Sequence, residues 1–345
     1  MHLLKNLLLV LALVALPAGT HAAEFEKNIL TGGPSGTYIQ IGRDIAKIGA
    51  ACGLTLNVQE SAGSLENFIG VRKRRNTQFG IVQSDVLEYL KTYAANDSEI
   101  QQAVRGVRIM FPLYNEEVHL LATKDVASIR DLAGKRVGVG VEDSGTYLTA
   151  SLVLDIMRIS DAKREPVGAA ESLEMLLKGE LDAFFYVAGA PAKLFTDERI
   201  DGSKFHLVPL TDAPLKATYT PASIPAATYS WQQGAADIVA VKAVLMTYDY
   251  DTSRNSYHRE SCKAVSDISN LILTRLDELK SGGHPKWKSV DLTELPPDWQ
   301  VGICVKAGMA LDYQVDCGAA EPAAASDGDT EYLDLLKQRL KQGNQ

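Results

Sequence analysis

The chain has 345 residues, with 35 Lys and Arg against 43 Asp and Glu, a formal net charge of −8. A balance this acidic excludes a charge-driven partnership with nucleic acid or anionic lipid. The 46% hydrophobic share is that of a globular protein, and the length exceeds what a single core fills, so two domains are expected.

The N-terminus reads as an export signal. Met1, His2 and Lys5 make a short polar start, residues 7–16 an apolar run, and Pro17-Ala18-Gly19-Thr20-His21-Ala22-Ala23 a small-residue stretch suited to signal peptidase. The apolar run is too short for a bilayer-spanning helix, which needs about 20 residues. Residues 1–23 are therefore predicted to be a cleaved signal peptide, cut after Ala22 or Ala23. No Cys stands there to carry a lipid, and a soluble periplasmic protein is expected.

Downstream, strand-like and helix-like segments alternate, the pattern of an α/β fold. Asn28-Ile29-Leu30-Thr31 reads as a strand, Gly32-Gly33-Pro34-Ser35-Gly36 as a turn, and Ile41, Ile45 and Ile48 as one face of a helix. Strands are predicted at 55–59 and 79–82, with a helix around 65–71 between them. Segments 107–111 and 118–123 are strand-like and flank a break at Pro112-Leu113-Tyr114-Asn115, read as the crossing to a second lobe. There, strands at 136–141 and 181–187 enclose a helix carrying Leu148, Leu152, Ile156 and Ile159, and a further strand is a candidate at 204–208. The Pro-rich stretch 214–225 is read as the return. A β-branched strand at 237–247 and one long helix carrying Val265, Ile268, Ile272, Leu276 and Leu279 follow. Lobe 1 is thus predicted over 24–113 plus 236–295 and lobe 2 over 114–235. Residues 296–345 form a C-terminal extension, with an acidic, Ala-rich linker at 319–329 and a terminal helix at 331–342.

Cys52, Cys262, Cys304 and Cys317 are an even number in an exported chain, which implies two disulfides with three possible connectivities. The short spacing favours Cys304–Cys317, leaving Cys52–Cys262. No C-x-x-C redox motif occurs. His119, His206, His258 and His284 are scattered and indicate no metal site. Gly138-Val139-Gly140 lacks the third glycine of a dinucleotide fingerprint, and neither a P-loop nor a G-x-S-x-G elbow is present. The basic run Arg72-Lys73-Arg74-Arg75 reads as a solvated helix end.

The most informative pattern is an internal echo. Ser35-Gly36-Thr37-Tyr38 recurs as Ser144-Gly145-Thr146-Tyr147, each copy after a predicted strand and at the start of a predicted helix, one per lobe. A helix N-terminus presents unpaired N–H groups and a positive dipole end, Ser and Thr add hydroxyls, and Gly lets a ligand approach the backbone. Two such ends facing one cleft would hold an anion from both sides without Arg or Lys.

Together with Ser61-Ala62-Gly63-Ser64-Leu65-Glu66-Asn67, Val82-Gln83-Ser84-Asp85-Val86, Leu132-Ala133-Gly134-Lys135-Arg136-Val137 and Ile224-Pro225-Ala226-Ala227-Thr228-Tyr229, these motifs make the chain resemble the TAXI family of solute-binding proteins of TRAP transporters over roughly residues 29–279. The resemblance implies a two-lobed type II periplasmic-binding-protein fold with an interdomain ligand cleft. It also implies a small organic anion as ligand (a glutamate-like amino acid or a dicarboxylate) and a TRAP membrane permease as partner. Matching motifs place Gly36, Thr37, Tyr38, Ser64 and Gln83 on the first lobe's side of the cleft, and Ser144, Gly145, Thr146 and Tyr186 on the other. Arg72–Asn76 and the Cys-containing tail depart from the family pattern. No catalytic residue, metal or cofactor is expected, and the protein is expected to act as a monomer. A periplasmic sensor acting on a membrane signalling partner is the alternative function.

Overall fold

The computed structural model describes residues 25–34 and 36–317. The predicted signal peptide, Ser35, the 319–329 linker and the 331–342 helix lie outside them. Among the described residues no helix is long and apolar enough to cross a membrane.

The chain begins with β1 (Asn28–Leu30), α1 (Thr37–Ala50), β2 (Asn57–Gln59), α2 (Ser64–Lys73), β3 (Thr77–Gln83), α3 (Val86–Tyr93) and α4 (Ser98–Gly106). β1 lies parallel to β2 on one side and β3 on the other. In α1 the residues Ile41, Ile45 and Ile48 recur at helical spacing and are all buried. Every residue of β3 is buried, as in a strand covered on both faces. β4 (Val107–Thr123) then carries the chain across to β5 (Arg136–Gly138), α5 (Gly145–Ile156), β6 (Lys163–Glu165), α6 (Ala169–Leu177), β7 (Ala183–Ala188), β8 (Phe205–Leu207), α7 (Ala213–Thr218) and β9 (Thr220–Ile224). β10 (Ala236–Tyr248) brings it back to α8 (Ser256–Thr274), α9 (Leu276–Gly282) and α10 (Ile303–Gly308).

One sheet runs β2-β1-β3-β10-β4-β7-β5-β6, with β8 beside β4 and β9 beside β10. Its two long strands serve both halves. β4 pairs with β10 over residues 107–117 and with β7 over 117–122, while β10 pairs with β3 over 243–246 and with β9 over 236–240. The cores change over along these strands. Leu113 and Tyr114 belong to the core with Ile29, Phe79 and Ile268, whereas Val118 and Leu120 belong to the core with Val137, Val153 and Phe184. Along β10 the same change falls between Val241 and Ala243. The architecture is therefore α/β and two-lobed, with the lobes joined by crossing strands. A third cluster bridges them, packing Leu148 and Leu152 of α5 against Phe68, Val82 and Val86.

Three local expectations are corrected. Pro112-Leu113-Tyr114-Asn115 does not separate two strands but lies inside β4, where Lys242 pairs with Asn115 and Val244 with Pro112. Three steps along β4 face two along β10, a bulge that accommodates a proline with no N–H to donate. The stretch 214–225 forms α7 and β9, and the return itself is made by β10. The helix expected through 265–279 is divided at Arg275 into α8 and α9.

The disulfides also differ from the favoured pairing. Cys52 joins Cys317, and Cys262 joins Cys304. Cys304 lies on α10, which packs against α8 and so meets Cys262, while the following segment carries Cys317 to the turn after α1. Nearness in sequence was overruled by helix packing. Beyond Pro296, Cys304, Val305 and Met309 are buried in the first lobe's core and Trp299 in the bridging cluster. The basic run at the end of α2 is partly neutralised, with Lys73 paired to Glu99 and Arg74 to Glu66.

Candidate functional site

The two echoed motifs meet. Both α1 and α5 start at the lobe boundary, and a cavity of about 250 Å³ between them is lined by Gly36, Thr37, Tyr38, Ser64 and Gln83 from one side and Ser144, Gly145, Thr146 and Tyr186 from the other. All nine residues singled out in the sequence are thus brought together. The cavity shares Gly36, Thr37, Ala169, Tyr186 and Ala188 with a wider one of about 570 Å³ that reaches Lys193 and His284. A larger cavity, about 850 Å³, is lined by parts of α3 and β10 and by residues 294–298, among others, and contains none of these nine residues. Converging helix ends, rather than size, make the smaller one the candidate site.

The copies differ in detail. Ser144 is the N-cap of α5 and accepts a hydrogen bond from the Tyr147 N–H at 3.1 Å. Gly36, at the N-cap of α1, brings no side chain to cap it. Tyr38 is buried and turns into the cavity, whereas Tyr147 packs against the second lobe's core. The Thr146 hydroxyl oxygen accepts from the Val187 N–H at 3.1 Å, and that of Ser64 accepts from the Gln83 N–H at 3.0 Å. A hydroxyl that accepts a backbone N–H still has its own hydrogen to donate.

The lobes are in direct contact around this cavity. The Leu65 N–H donates to the Asp143 carbonyl at 3.1 Å. Gly63 has φ +130°, a conformation L side chains rarely adopt, and a Cβ there would lie 3.2 Å from the Gly145 nitrogen. Thr149 shares its hydroxyl between Gln83 Oε1 at 3.0 Å and Asp85 Oδ2 at 2.9 Å, and Tyr219 donates to Asp85 Oδ2 at 3.0 Å. Asp85 keeps part of its surface exposed, yet desolvation raises its carboxyl to about 6, against the lowering effect of those two hydroxyls.

Sequence reasoning missed the acidic side chain of the candidate site. Glu116 lines the cavity while only 3% exposed, accepting from the Tyr38 hydroxyl at 2.7 Å and the Tyr114 hydroxyl at 3.3 Å. Burial raises its carboxyl to about 7, with hydrogen bonds from Tyr38 and Gln83 and the charge of Lys286 acting the other way and that of Glu117 adding to the rise. The same burial, and then the charge of Glu116, push the phenols of Tyr38 and Tyr114 well up. No Lys or Arg is among the described residues that line the cavity. Glu116 was hidden because it sits within β4, between the break expected at 112–115 and the strand expected from 118. Its in-or-out direction was unreadable without the bulge.

Residues 29–291 match the NMT1-like family. Among solved structures, the chain is similar to a histidine kinase sensor domain with similarity to periplasmic binding proteins, at 13% identity over 77% of this chain and 96% of that one, with a TM-score of 0.45. It is also similar to the periplasmic binding protein BugD, at 12% identity over 92% and 96%, with a TM-score of 0.45. A third likeness is to an amino acid ABC transporter substrate-binding protein from Streptococcus pneumoniae, solved with L-arginine, at 12% identity over 77% and 92%, with a TM-score of 0.42.

Proposed function

We propose a receptor role for this chain, from the premise that it belongs to the NMT1-like family. It is a periplasmic solute-binding protein of the TAXI type, which captures a small organic anion between its lobes and presents it to a TRAP membrane permease. The observation that carries the reading is the convergence of Ser144-Gly145-Thr146 and Gly36-Thr37-Tyr38 on one cavity at two helix N-termini. Backbone N–H groups, hydroxyl donors and the positive ends of α1 and α5 favour a carboxylate there, with no cation among the lining side chains. The cavity's size suits a ligand of amino-acid or short dicarboxylate dimensions. Two disulfides fit an oxidising compartment.

The test is mass spectrometry of small molecules released on denaturing gently purified protein, followed by titration of the identified compound. A carboxylate-bearing solute at near one equivalent is expected, and Thr146→Ala should weaken its binding roughly tenfold to a hundredfold. Unchanged affinity in Thr146→Ala and in Thr37→Ala would return both motifs to plain helix starts. Binding of the solute together with loss of a signalling output, rather than of uptake, in a deletion strain would replace the permease by a sensor partner.

A further inference from the structure

Glu116 is an unusual residue for a site that grips anions. It is almost sealed from solvent yet forms part of the cavity wall, and both of its oxygens are already oriented by phenols, Tyr38 from α1 and Tyr114 from its own strand. Tyr38 follows Gly36 and Thr37 directly, so the carboxylate is tied to the first turn of α1, where the ligand's anionic end would rest. A carboxylate has about four lone-pair positions, and the hydrogen bonds from the two phenols and Gln83 leave capacity for another donor. A second anionic group of the ligand would meet Glu116 with no cation beside it. Lys286, whose charge acts on Glu116, is held by Glu117 at 2.9 and 3.0 Å and does not line the cavity.

We propose that Glu116 is a specificity-determining residue of this cleft, taking a protonated nitrogen of the ligand, so that the site accepts an amino-carboxylate zwitterion and discriminates against a dicarboxylate. The inference rests on the receptor reading above and deepens it. Recognition is linked to a proton. With Glu116 raised to about 7 in the empty protein, a large share of molecules carry the neutral acid at neutral pH. An ammonium placed against it stabilises the ionised form, so the carboxyl proton leaves to solvent as the ion pair forms. A dicarboxylate would do the reverse and draw a proton on. Of the other groups facing Glu116, the phenols of Tyr38, Tyr114 and Tyr186 are all raised above their ordinary value by burial, and the Lys286 ammonium is held in an ion pair by Glu117.

The experiment screens L-amino acids and C3–C6 dicarboxylates by thermal shift, then titrates the best of each class calorimetrically at pH 6 and pH 8 in buffers of different ionisation enthalpy. An amino acid should bind most tightly, with proton release and an affinity about tenfold weaker at pH 6 than at pH 8. Glu116→Gln should lose roughly tenfold to a hundredfold at pH 8 and lose most of the pH dependence. If Glu116→Gln does not fold, the proton count decides, measured in wild type and in Asp85→Asn so that the other carboxyl raised to about 6 is taken out of it. A dicarboxylate binding best, or an amino acid binding without proton release, overturns the role of Glu116 and leaves the receptor reading standing. Binding by neither class, with no carboxylate released from purified protein, overturns both.

Discussion

At Gly145 a single hydrogen in place of a side chain decides how near the lobes come. A Cβ there would lie 2.4 Å from Gln83 Oε1 and 2.7 Å from Ser64 Oγ, both on the opposite lobe. The residue begins α5 in ordinary helical backbone, so alanine suits the helix itself and the conflict is wholly with the facing surface. Gly145→Ala is therefore expected to fold with a near-wild-type melting temperature in the absence of ligand. It should bind ligand at least tenfold more weakly, since the lobes must part to make room. Equal affinity, with no change in small-angle scattering, would show that this approach is unimportant to binding. The same closeness explains why Gly145 and Ser64 were identifiable by motif while their contact was not: a sequence displays which side chains are small, not what they are small against.

Helices α8 and α10 illustrate the next scale. The face of α8 carrying Val265, Ile268 and Ile272 follows helical periodicity and is buried as that pattern requires. Its partner, α10, is six residues long and follows an irregular stretch containing Pro296 and Pro297, so nothing in its own pattern announces that it docks. The Cys262–Cys304 disulfide fixes the two together across a separation of 42 residues. Constraining a loop of that length in the unfolded chain contributes about 4 kcal/mol in the chain-entropy treatment. Replacing Cys262 and Cys304 together by Ser should lower stability by about that amount in a denaturant titration. Non-reducing peptide mapping should recover Cys52 joined to Cys317 and Cys262 joined to Cys304. Recovery of a Cys304–Cys317 peptide would contradict this packing of α10. Within β4 the bulge at Pro112 is a second case: periodicity located both ends of the strand, but only pairing with β10 fixed which way Glu116 points.

Across the whole molecule, the lobes are joined by two strands and by polar contacts that titrate. Asp85 of the first lobe receives hydroxyls from Thr149 and Tyr219 of the second, and its carboxyl is raised to about 6 from an ordinary value near 4. A raised acid favours the folded state while protonated, so this contribution is complete below the ordinary value and is lost as pH climbs through about 6. The loss is no more than about 3 kcal/mol. Glu116 acts in the same sense up to about 7, whereas His119, buried and lowered to about 4, removes stability as pH falls below its ordinary value. Ligand-free Asp85→Asn should therefore show a shallower fall in melting temperature between pH 4.5 and 7 than wild type. Identical slopes in the two proteins would mean that burial at the lobe contact does not raise the Asp85 carboxyl.

Hydrophobic period and turn chemistry, both local properties, were enough to reveal an α/β chain that crosses between lobes, and the echoed Ser-Gly-Thr-Tyr was enough to mark two helix starts with the same chemistry. These features are written in residues adjacent in the chain, where backbone sterics and amphipathicity act. The partners of the cysteines, the continuity of β4 through a proline, the burial of Trp299 and Val305, and the turn of Tyr38 but not Tyr147 into the cleft depend on which distant surface each residue meets. Glu116 depends on it most. A carboxylate in a strand is ordinary until packing takes away its water, and only the assembled lobes, by enclosing it with Tyr38 and Tyr114, gave it a shifted proton affinity.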